Sequence, residues 1–413
     1  MLLLTTYDLG RQPFGVASPA AWLRRAAVEV HTIDLSRDRL NPDAVSAASL
    51  VAFYLPMHTA TRLALPMIDR VRAINPAATI CAYGLYAPLN EVILREHGVS
   101  VILGPEAEED LVSLAGESGG TNVPPSRQIP RLNFIAPDRS GLPSLDRYAS
   151  LQMPDGTTKI VGATDGSRGC KHRCRHCPIV PVYDGQFRVV PVDVVMADVR
   201  SQVAQGATHI TFGDPDFFNG PTHARKIVEA LHRDHPQVTY DAIIKVEHLL
   251  AHRDLLPVLA TTGCLFVTSA VESVDDRVLE KLDKGHTRAD FITAAGLCRS
   301  AGLTLVPTFV AFTPWTTMET YQDLLNVVED LGLTDHVAPV QLAIRLLVTW
   351  QSRLLELPDI QAVIGPFDPR TLTYPWTHPD PRVDALQRTM MELANVPRMS
   401  RSAIPYMNEP WYC

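Results

Sequence analysis

The sequence lacks the features that typify membrane, nucleic-acid-binding and secreted proteins. No run approaches the ~20 consecutive apolar residues of a membrane-spanning helix. With 37 basic and 45 acidic residues the net charge is −8, which disfavours a phosphate-binding surface. The N-terminus has none of the basic residues that begin a signal peptide. We therefore predict a cytoplasmic protein that binds neither nucleic acid nor membranes.

Cysteines are scarce and unevenly placed. The seven cysteines do not form the dense pattern of a secreted disulfide scaffold. Three of them, Cys170, Cys174 and Cys177, lie within eight residues, and the others are scattered. In a reducing compartment such crowding predicts a metal site. A structural zinc ion completed by His172 or His176 is one candidate, although zinc motifs usually contain a second, separate pair of ligands.

Apolar runs alternate with amphipathic segments through most of the chain, which predicts an α/β fold. Residues 1–115 are expected to form a Rossmann-like, doubly wound parallel sheet. A segment rich in Gly, Pro and Ser at 116–150 is expected to be a linker. Six β/α steps within residues 151–345 predict a (β/α)6 partial TIM barrel, short of the eight steps of a complete one. Residues 346–413 are assigned to a C-terminal extension.

The three cysteines follow the first predicted barrel strand with the spacing Cys-x3-Cys-x2-Cys. Three thiolates can hold three irons of a cubane, whereas ordinary electron-transfer clusters are held by four cysteines. The fourth iron then has no protein ligand, and an open coordination position is typical of metal centres that do chemistry. We therefore expect Cys170, Cys174 and Cys177 to be metal ligands of a catalytic 4Fe–4S cluster.

This motif resembles that of the radical S-adenosylmethionine (SAM) superfamily, and the resemblance covers about residues 158–345. It implies that SAM chelates the open iron through its amino and carboxylate groups, and that reduction of the cluster cleaves a carbon–sulfur bond. It also implies a small-molecule substrate and an electron donor of the flavodoxin or ferredoxin type. His176 is a departure, because many members have an aromatic residue before the last cysteine.

Polar residues at the ends of predicted barrel strands are the candidate SAM contacts. The resemblance places Asp214 and Asp216 near the SAM amino group, for which carboxylates are suitable acceptors. Glu272 and Ser273 follow the fourth strand, near the ribose and carboxylate of SAM. A turn formed by the two aspartates, and a helix cap formed by Ser273, are the alternative interpretations.

Weaker candidates lie on or after the remaining strands of the predicted barrel. Lys245, Glu247 and His248 follow the third strand, and Thr308 and Arg345 lie on the last two strands. The resemblance implies that the last two line the site or contact adenine. Buried strand residues without a ligand explain Thr308 and Arg345 almost as well.

Residues 1–115 resemble the cobalamin-binding Rossmann module found ahead of some radical SAM domains. His58, after the third strand, and residues 84–86, after the fourth, lie where such a module holds its ligand. The Asp-x-His-x-x-Gly signature that supplies a cobalt ligand is absent, and His58 is more typical of a satisfied polar loop residue. Three interpretations stay open: cobalamin without a lower histidine, a substrate-binding role, or a vestigial scaffold.

The C-terminal residues Trp411-Tyr412-Cys413, together with the motifs at 5–10 and 312–317, resemble one narrow group. These are the radical SAM proteins named for a Cys-Sec-Ala-Glu-Pro or Cys-Cys-Ala-Glu-Pro tail. We hypothesise that a UGA codon recoded as selenocysteine follows Cys413, so that the two chalcogens bind a thiophilic substrate such as arsenite. Ala-Glu-Pro codons beyond the stop would support this, and their absence would refute it. Alternatively, Cys413 is a terminal thiol with no role.

The resemblance to this tail group implies transfer of the 3-amino-3-carboxypropyl group of SAM to a soft acceptor such as arsenite. The first alternative is chemistry on a carbon substrate, by hydrogen abstraction through a 5′-deoxyadenosyl radical or by cobalamin-dependent methyl transfer. A second alternative is a non-catalytic iron–sulfur or metalloid-binding protein. Methylthioadenosine as product would indicate carboxypropyl transfer, and 5′-deoxyadenosine would indicate hydrogen abstraction.

Overall fold

The computed structural model describes residues 1–116 and 129–395, and the backbone of residues 406–407. Its strands are β1 (Leu2–Thr5), β2 (His31–Asp34), β3 (Leu50–Tyr54), β4 (Thr79–Tyr83), β5 (Val101–Ile102), β6 (Ser150–Gln152), β7 (Thr158–Thr164), β8 (Ser167–Gly169), β9 (Phe187–Val189), β10 (His209–Phe212), β11 (Thr239–Ile243), β12 (Cys264–Glu272), β13 (Thr304–Phe309) and β14 (Tyr406–Met407).

The helices are α1 (Phe14–Arg25), α2 (Pro42–Ala47), α3 (His58–Ile74), α4 (Tyr86–Leu89), α5 (Glu91–Glu96), α6 (Glu108–Gly116), α7 (Val180–Tyr183), α8 (Val192–Ala204), α9 (Pro221–Asp234), α10 (Val246–Ala251), α11 (Leu256–Thr261), α12 (Asp276–Leu282), α13 (Arg288–Ser300), α14 (Met318–Asp330), α15 (Pro358–Gln361) and α16 (Pro381–Ala394). None of these described helices is both long and apolar enough to cross a membrane.

The first sheet is parallel throughout, with the strand order β2-β1-β3-β4-β5. Side chains of a strand alternate between its two faces, and this sheet is apolar on both. Leu2 and Leu4 pack in one hydrophobic core with residues of α2 and α3. Leu3 packs in a second core with residues of α1 and α6. Helices on both faces confirm the predicted doubly wound arrangement.

The second sheet has the order β13-β12-β11-β10-β7-β6-β14. Strands β7 and β10 to β13 are parallel, while β6 and β14 are antiparallel at one edge. Its main hydrophobic core includes residues of α8, α9, α13 and α14. This curled half-barrel confirms the predicted fold class of a partial barrel.

The last β/α step of this half-barrel is shorter than the sequence predicts. A 3-10 turn at Pro339–Leu342 lies where the sixth strand was expected, followed by a single parallel bridge between Phe312 and Arg345. The Gln341 side-chain oxygen accepts a hydrogen bond from the Phe309 N–H at 3.1 Å. A side-chain oxygen thus accepts the hydrogen bond of a β13 backbone N–H that a sixth strand was expected to accept. Pro339 contributes to this outcome, because it has no N–H to donate to a ladder.

Arg139, in the segment between the two sheets, makes a fully buried ion pair. Its Nε and Nη2 each lie 2.8 Å from an oxygen of Asp198 in α8. Nη2 also donates to the Ala163 carbonyl of β7 at 2.6 Å, and Nη1 donates to Gln12 Oε1 at 3.1 Å. One guanidinium therefore joins the N-terminal loop, the connecting segment and the barrel.

We expect Asp198→Ala to lower the free energy of unfolding by about 3–5 kcal/mol, because it leaves the buried Arg139 charge unpaired. The matched control is Asp193→Ala, which removes an exposed carboxylate from the first turn of the same helix. The control should change stability by no more than about 0.5 kcal/mol. Urea unfolding measures both, and equal midpoints would contradict this account of the pair.

Candidate active site

The cysteine loop begins where β7 ends, and it is shaped by a short hairpin. Strand β8 pairs antiparallel with β9, so the segment with the three cysteines connects these two strands and starts directly after Gly169. Gly169 has a φ of +77°, and a Cβ at this position would lie 2.4 Å from a Tyr183 ring carbon and 2.5 Å from the Gln186 carbonyl oxygen. Only glycine combines this conformation with this close approach. The loop geometry therefore depends on Gly169.

Cys170 and Cys174 are buried, and Cys177 is partly exposed. Burial raises the pKa of Cys170, and it raises the pKa of Cys177 to about 12, with the neighbouring cysteines adding to the effect on Cys177. Lys245 Nζ lies 3.9 Å from the Cys174 sulfur and supplies positive charge beside it. Such buried thiols become thiolates when a metal centre displaces their protons.

The chemistry of the donor set suits a 4Fe–4S cluster. The three thiols lie within eight residues of one loop, and two of them are buried. Lys245 and Lys284 place positive charge beside Cys174, and such charge stabilises an anionic iron–sulfur centre. The residues present therefore fit the expected 4Fe–4S cluster.

Asp214, predicted near the SAM amino group, contacts the start of the cysteine loop. One carboxylate oxygen accepts from the Gly166 N–H at 2.8 Å, and the other accepts from the Ser167 hydroxyl at 2.6 Å. Burial raises the pKa of Asp214 to about 7, and the nearby Asp165 carboxylate adds to this. Both oxygens are engaged by the loop, so Asp214 is a positioning residue in this geometry. Its contact with SAM stays a prediction.

Asp216 lies two residues farther on and contacts two histidines. Its Oδ1 accepts from the N–H groups of Phe218, at 3.2 Å, and Lys245, at 3.4 Å. Its Oδ2 lies 2.6 Å from His248 Nδ1 and 3.6 Å from His172 Nε2. Burial alone would raise the pKa of Asp216, but the two histidines outweigh it and lower the pKa.

Glu272 ends β12 with a φ of +68°, a strained conformation for a residue that is not glycine. Its Oε1 lies 3.0 Å from His176 Nε2 and 3.3 Å from Lys284 Nζ. Burial alone would raise the pKa of Glu272, but the adjacent Lys284 and His176 lower it to about 2. His176, the departure from the usual aromatic residue, therefore links the cysteine loop to β12.

The other predicted site residues differ in what they contact. Lys245 Nζ lies 3.4 Å from Glu247 Oε2, next to the cysteines. The Ser273 hydroxyl accepts from the Asp275 N–H at 3.1 Å. Asp275, and not Ser273, caps α12, because its side chain accepts from the Arg277 N–H. Thr308 is partly buried on β13, in register with Ala270. Cys413 lies outside the described residues.

Arg345 is engaged away from the cysteines. Its Nη1 lies 2.6 Å from Asp384 Oδ1, and its guanidinium carbon lies 3.4 Å from the centre of the Trp376 ring. Both partners belong to the last part of the described chain, which sequence periodicity did not resolve. Arg345 therefore anchors this part of the chain to the barrel, and its contact with SAM or substrate stays a prediction.

Two further polar residues were not predicted as site residues. Among the residues that the structure describes, neither ring nitrogen of His286 nor the hydroxyl of Ser269 has a hydrogen-bond partner, and both side chains are buried. Burial lowers the pKa of His286 to about 4, and nearby Lys284 and Lys245 contribute. Such unpaired buried groups cost about 1–3 kcal/mol each unless a ligand satisfies them. The sequence signal that was available is the Lys-Gly-His segment after α12.

The edge of the first sheet where a ligand was expected is covered by the chain itself. A hairpin of residues 368–373, closed by a bridge between Asp368 and Thr373, reaches this edge. His58 Nε2 donates to the Thr371 carbonyl at 2.6 Å. Leu372 is 1% exposed and packs in the same core as Tyr86, with a φ of +55°. The residues present do not fit cobalamin at this edge.

A comparison with known protein families agrees with the three-cysteine motif. Residues 165–331 match the family model of the radical SAM superfamily. This part of the chain is therefore similar to the radical SAM superfamily. The similarity agrees with the 4Fe–4S cluster and SAM that the three-cysteine motif leads us to expect. The matched residues include all three cysteines, together with Asp214, Asp216 and Glu272.

Curated relatives of this chain have low sequence identity to it. The hopanoid C-3 methylase of Methylococcus capsulatus is 23% identical over 346 residues, which are 76% of this chain and 64% of the methylase. The tRNA-2-methylthio-N(6)-dimethylallyladenosine synthase of Pseudomonas aeruginosa is 23% identical over 283 residues, which are 65% of this chain and 60% of the synthase. The chain thus spans less than two thirds of the length of each.

Solved structures share the fold over most of the chain. The cobalamin-dependent SAM radical enzyme OxsB, with aqua-cobalamin bound, has a TM-score of 0.69 at 14% identity and covers 94% of this chain and 66% of its own. The methyltransferase TsrM from Kitasatospora setae, with cobalamin and a 4Fe–4S cluster bound, has a TM-score of 0.65 at 16% identity. That match covers 80% of this chain and 73% of TsrM.

We expect Gly169→Ala to prevent cluster assembly, because the added methyl group collides with Tyr183 and with backbone. Iron and sulfide per chain after anaerobic reconstitution should fall to a small fraction of the wild-type content. Gly156→Ala is the matched control, since Gly156 also has a positive φ, of +83°, but has open space around it. A Gly169→Ala protein with wild-type iron would contradict this role of the glycine.

We also expect the purified chain not to retain cobalamin, because residues 368–373 cover the edge that would hold it. Incubation with hydroxocobalamin and desalting should leave well below one equivalent by visible absorbance. OxsB, treated in parallel, is the positive control. Retention near one equivalent would show that the hairpin moves aside.

Proposed function

We propose that the chain is a radical SAM enzyme that reductively cleaves SAM at a 4Fe–4S cluster held by Cys170, Cys174 and Cys177. The observation that supports this proposal most directly is the three-cysteine loop at the carboxyl ends of the barrel strands. The other described cysteines, at 81, 264 and 298, are buried in hydrophobic cores, so none of them supplies a fourth ligand. When bound and reduced, such a cluster supplies the electron that breaks a carbon–sulfur bond of SAM.

Side chains of this chain supply charge and hydrogen-bonding groups near the site of that bond. Lys245 and Lys284 carry positive charge close to Cys174, which stabilises an anionic cluster bound there. The unpaired His286 and Ser269 are groups that the amino, carboxylate or hydroxyl groups of SAM would satisfy. The adjacent Lys284 and His176 keep the pKa of Glu272 low, and its carboxylate can orient a ribose hydroxyl or a positive group of the ligand.

For the group transferred, we propose the 3-amino-3-carboxypropyl group of SAM, and for the acceptor a soft species such as arsenite. The resemblance of the C-terminal and loop motifs to the tail group supports this, and Cys413 is the proposed acceptor ligand. The covered ligand edge of the first sheet supports it further, because it disfavours a route through cobalamin. A flavodoxin- or ferredoxin-type donor in the cytoplasm would supply the electrons.

The alternative is methyl transfer or hydrogen abstraction on a carbon substrate. One observation favours it: the fold likeness to OxsB and TsrM, both with cobalamin bound. The distant likeness to a hopanoid methylase points the same way. A non-catalytic iron–sulfur or metalloid-binding protein is the third candidate. The buried, unpaired His286, which lies near Lys284 and Lys245, argues against it.

Anaerobic turnover of SAM with dithionite tests the proposal. We expect methylthioadenosine as the adenosyl product, identified by mass spectrometry, with carboxypropyl-arsenic product when arsenite is present. Cys174→Ala, which removes a cluster ligand, should reduce product to background. 5′-Deoxyadenosine as the main product would refute carboxypropyl transfer but not SAM cleavage. No product above the Cys174→Ala background would refute both.

A further inference from the structure

A second set of metal-ligating side chains lies beside the cysteine loop. It consists of His172 from the loop, Asp216 after β10 and His248 in α10. One ligand atom from each residue lies within 4.8 Å of the other two, and among the described residues these three form the group that meets this condition. His172 Nε2 and His248 Nε2 face each other at 3.3 Å. We name this group the His–Asp–His cluster.

Hydrogen bonding within the His–Asp–His cluster leaves atoms unsatisfied. Asp216 Oδ2 and His248 Nδ1 are 2.6 Å apart, yet neither has a hydrogen-bond partner of acceptable geometry among the described residues. The Asp216 side chain is 0% exposed, that of His248 4% and that of His172 14%. A buried carboxylate oxygen without a well-directed hydrogen bond is costly unless a cation satisfies it. Geometry and burial thus both favour a bound positive ion.

The distances suit one transition-metal ion. Tetrahedral coordination with metal–nitrogen and metal–oxygen bonds of about 2.0–2.2 Å places ligand atoms about 3.3–3.6 Å apart. His172 Nε2 lies 3.3 Å from His248 Nε2 and 3.6 Å from Asp216 Oδ2. His248 would therefore offer Nε2, because its Nδ1 lies 2.6 Å from Asp216 Oδ2, closer than two ligands of one ion. Two imidazoles and a carboxylate are ligands typical of zinc and of ferrous iron. Three protein ligands leave one position for water.

Groups outside the cluster hold its ligands in the orientation that a metal needs. Two backbone N–H groups bind Asp216 Oδ1, which leaves Oδ2 directed at the histidines. Glu247 Oε2 lies 3.6 Å from His172 Nδ1, the ring nitrogen away from His248. Metal-bound histidines commonly have a carboxylate on the second nitrogen, which fixes the tautomer.

We propose that His172, Asp216 and His248 bind one divalent transition-metal ion, zinc or ferrous iron, separate from the 4Fe–4S cluster. Because His172 lies between Cys170 and Cys174, this ion would fasten the cysteine loop to the ends of β10 and β11. The proposal does not depend on which bond of SAM is cleaved or on the acceptor.

The test removes the ligands of the 4Fe–4S cluster and keeps the His–Asp–His cluster. The full chain with Cys170, Cys174 and Cys177 all changed to Ala is stripped with chelator and titrated with Co²⁺. We expect visible ligand-field absorbance that saturates at one equivalent and disappears when Zn²⁺ is added. In the same background, Asp216→Ala and His248→Ala should weaken Co²⁺ binding at least tenfold. His232→Ala, which removes an exposed histidine from α9, should not change it.

Circular dichroism first verifies that each variant is folded, and His172→Ala, in the loop, replaces any that is not. Elemental analysis of the reconstituted wild-type protein should show one zinc, or one iron beyond the cluster, that His248→Ala lacks. Absence of Co²⁺ absorbance in the triple-cysteine variant, or binding unaffected by both ligand substitutions, would overturn the proposal. The three residues of the His–Asp–His cluster would then contact one another without binding a metal ion.

Discussion

The hydrogen bonds that Asp214 accepts from Gly166 and Ser167 are the contact on which the rest of the site depends. They hold the start of the cysteine loop against the end of β10. The next residue, Arg168, is buried, and its Nη1 lies 2.7 Å from Glu108 Oε1 in α6 of the first domain. The loop that carries Cys170 is thus fixed from two sides before any metal binds, which reduces the conformational entropy lost on cluster assembly.

The first sheet supports the cysteine loop but does not present an open ligand edge. Besides the Arg168 contact, Val182, just after the cysteines, packs against the core formed by β1, β3 and α3. Leu372 enters the same core with a positive φ, a conformation that costs a leucine about 1 kcal/mol or more. Burial of its side chain contributes about 1.5–3 kcal/mol, which offsets that strain. Two solved structures with the same fold, of TsrM and OxsB, hold cobalamin, whereas in this chain the 368–373 hairpin reaches the corresponding edge of the first sheet.

The sequence predicted the kind of residue in the site better than the role of each residue. Asp214, Asp216, Lys245 and Glu272 were expected near the cysteines, because strand ends of parallel sheets converge on one edge. Their partners were not predicted. Glu272 meets His176, which lies 96 positions away, and Asp216 meets His248. Arg345 has partners in a part of the chain without clear periodicity, so no sequence signal marked them.

The alternation of strands and helices and the three-cysteine motif were determined by the sequence alone. Both are local patterns: apolar periodicity reports which face of an element is buried, and Cys-x3-Cys-x2-Cys lies in one loop. Only the tertiary structure decided which polar groups surround the cysteines, that His172, Asp216 and His248 meet, and that the first sheet is covered by residues 368–373. Those contacts join positions as far apart as His58 and Thr371, 313 residues along the chain. Their geometry follows from how the sheets and loops pack, and no local pattern encodes that packing.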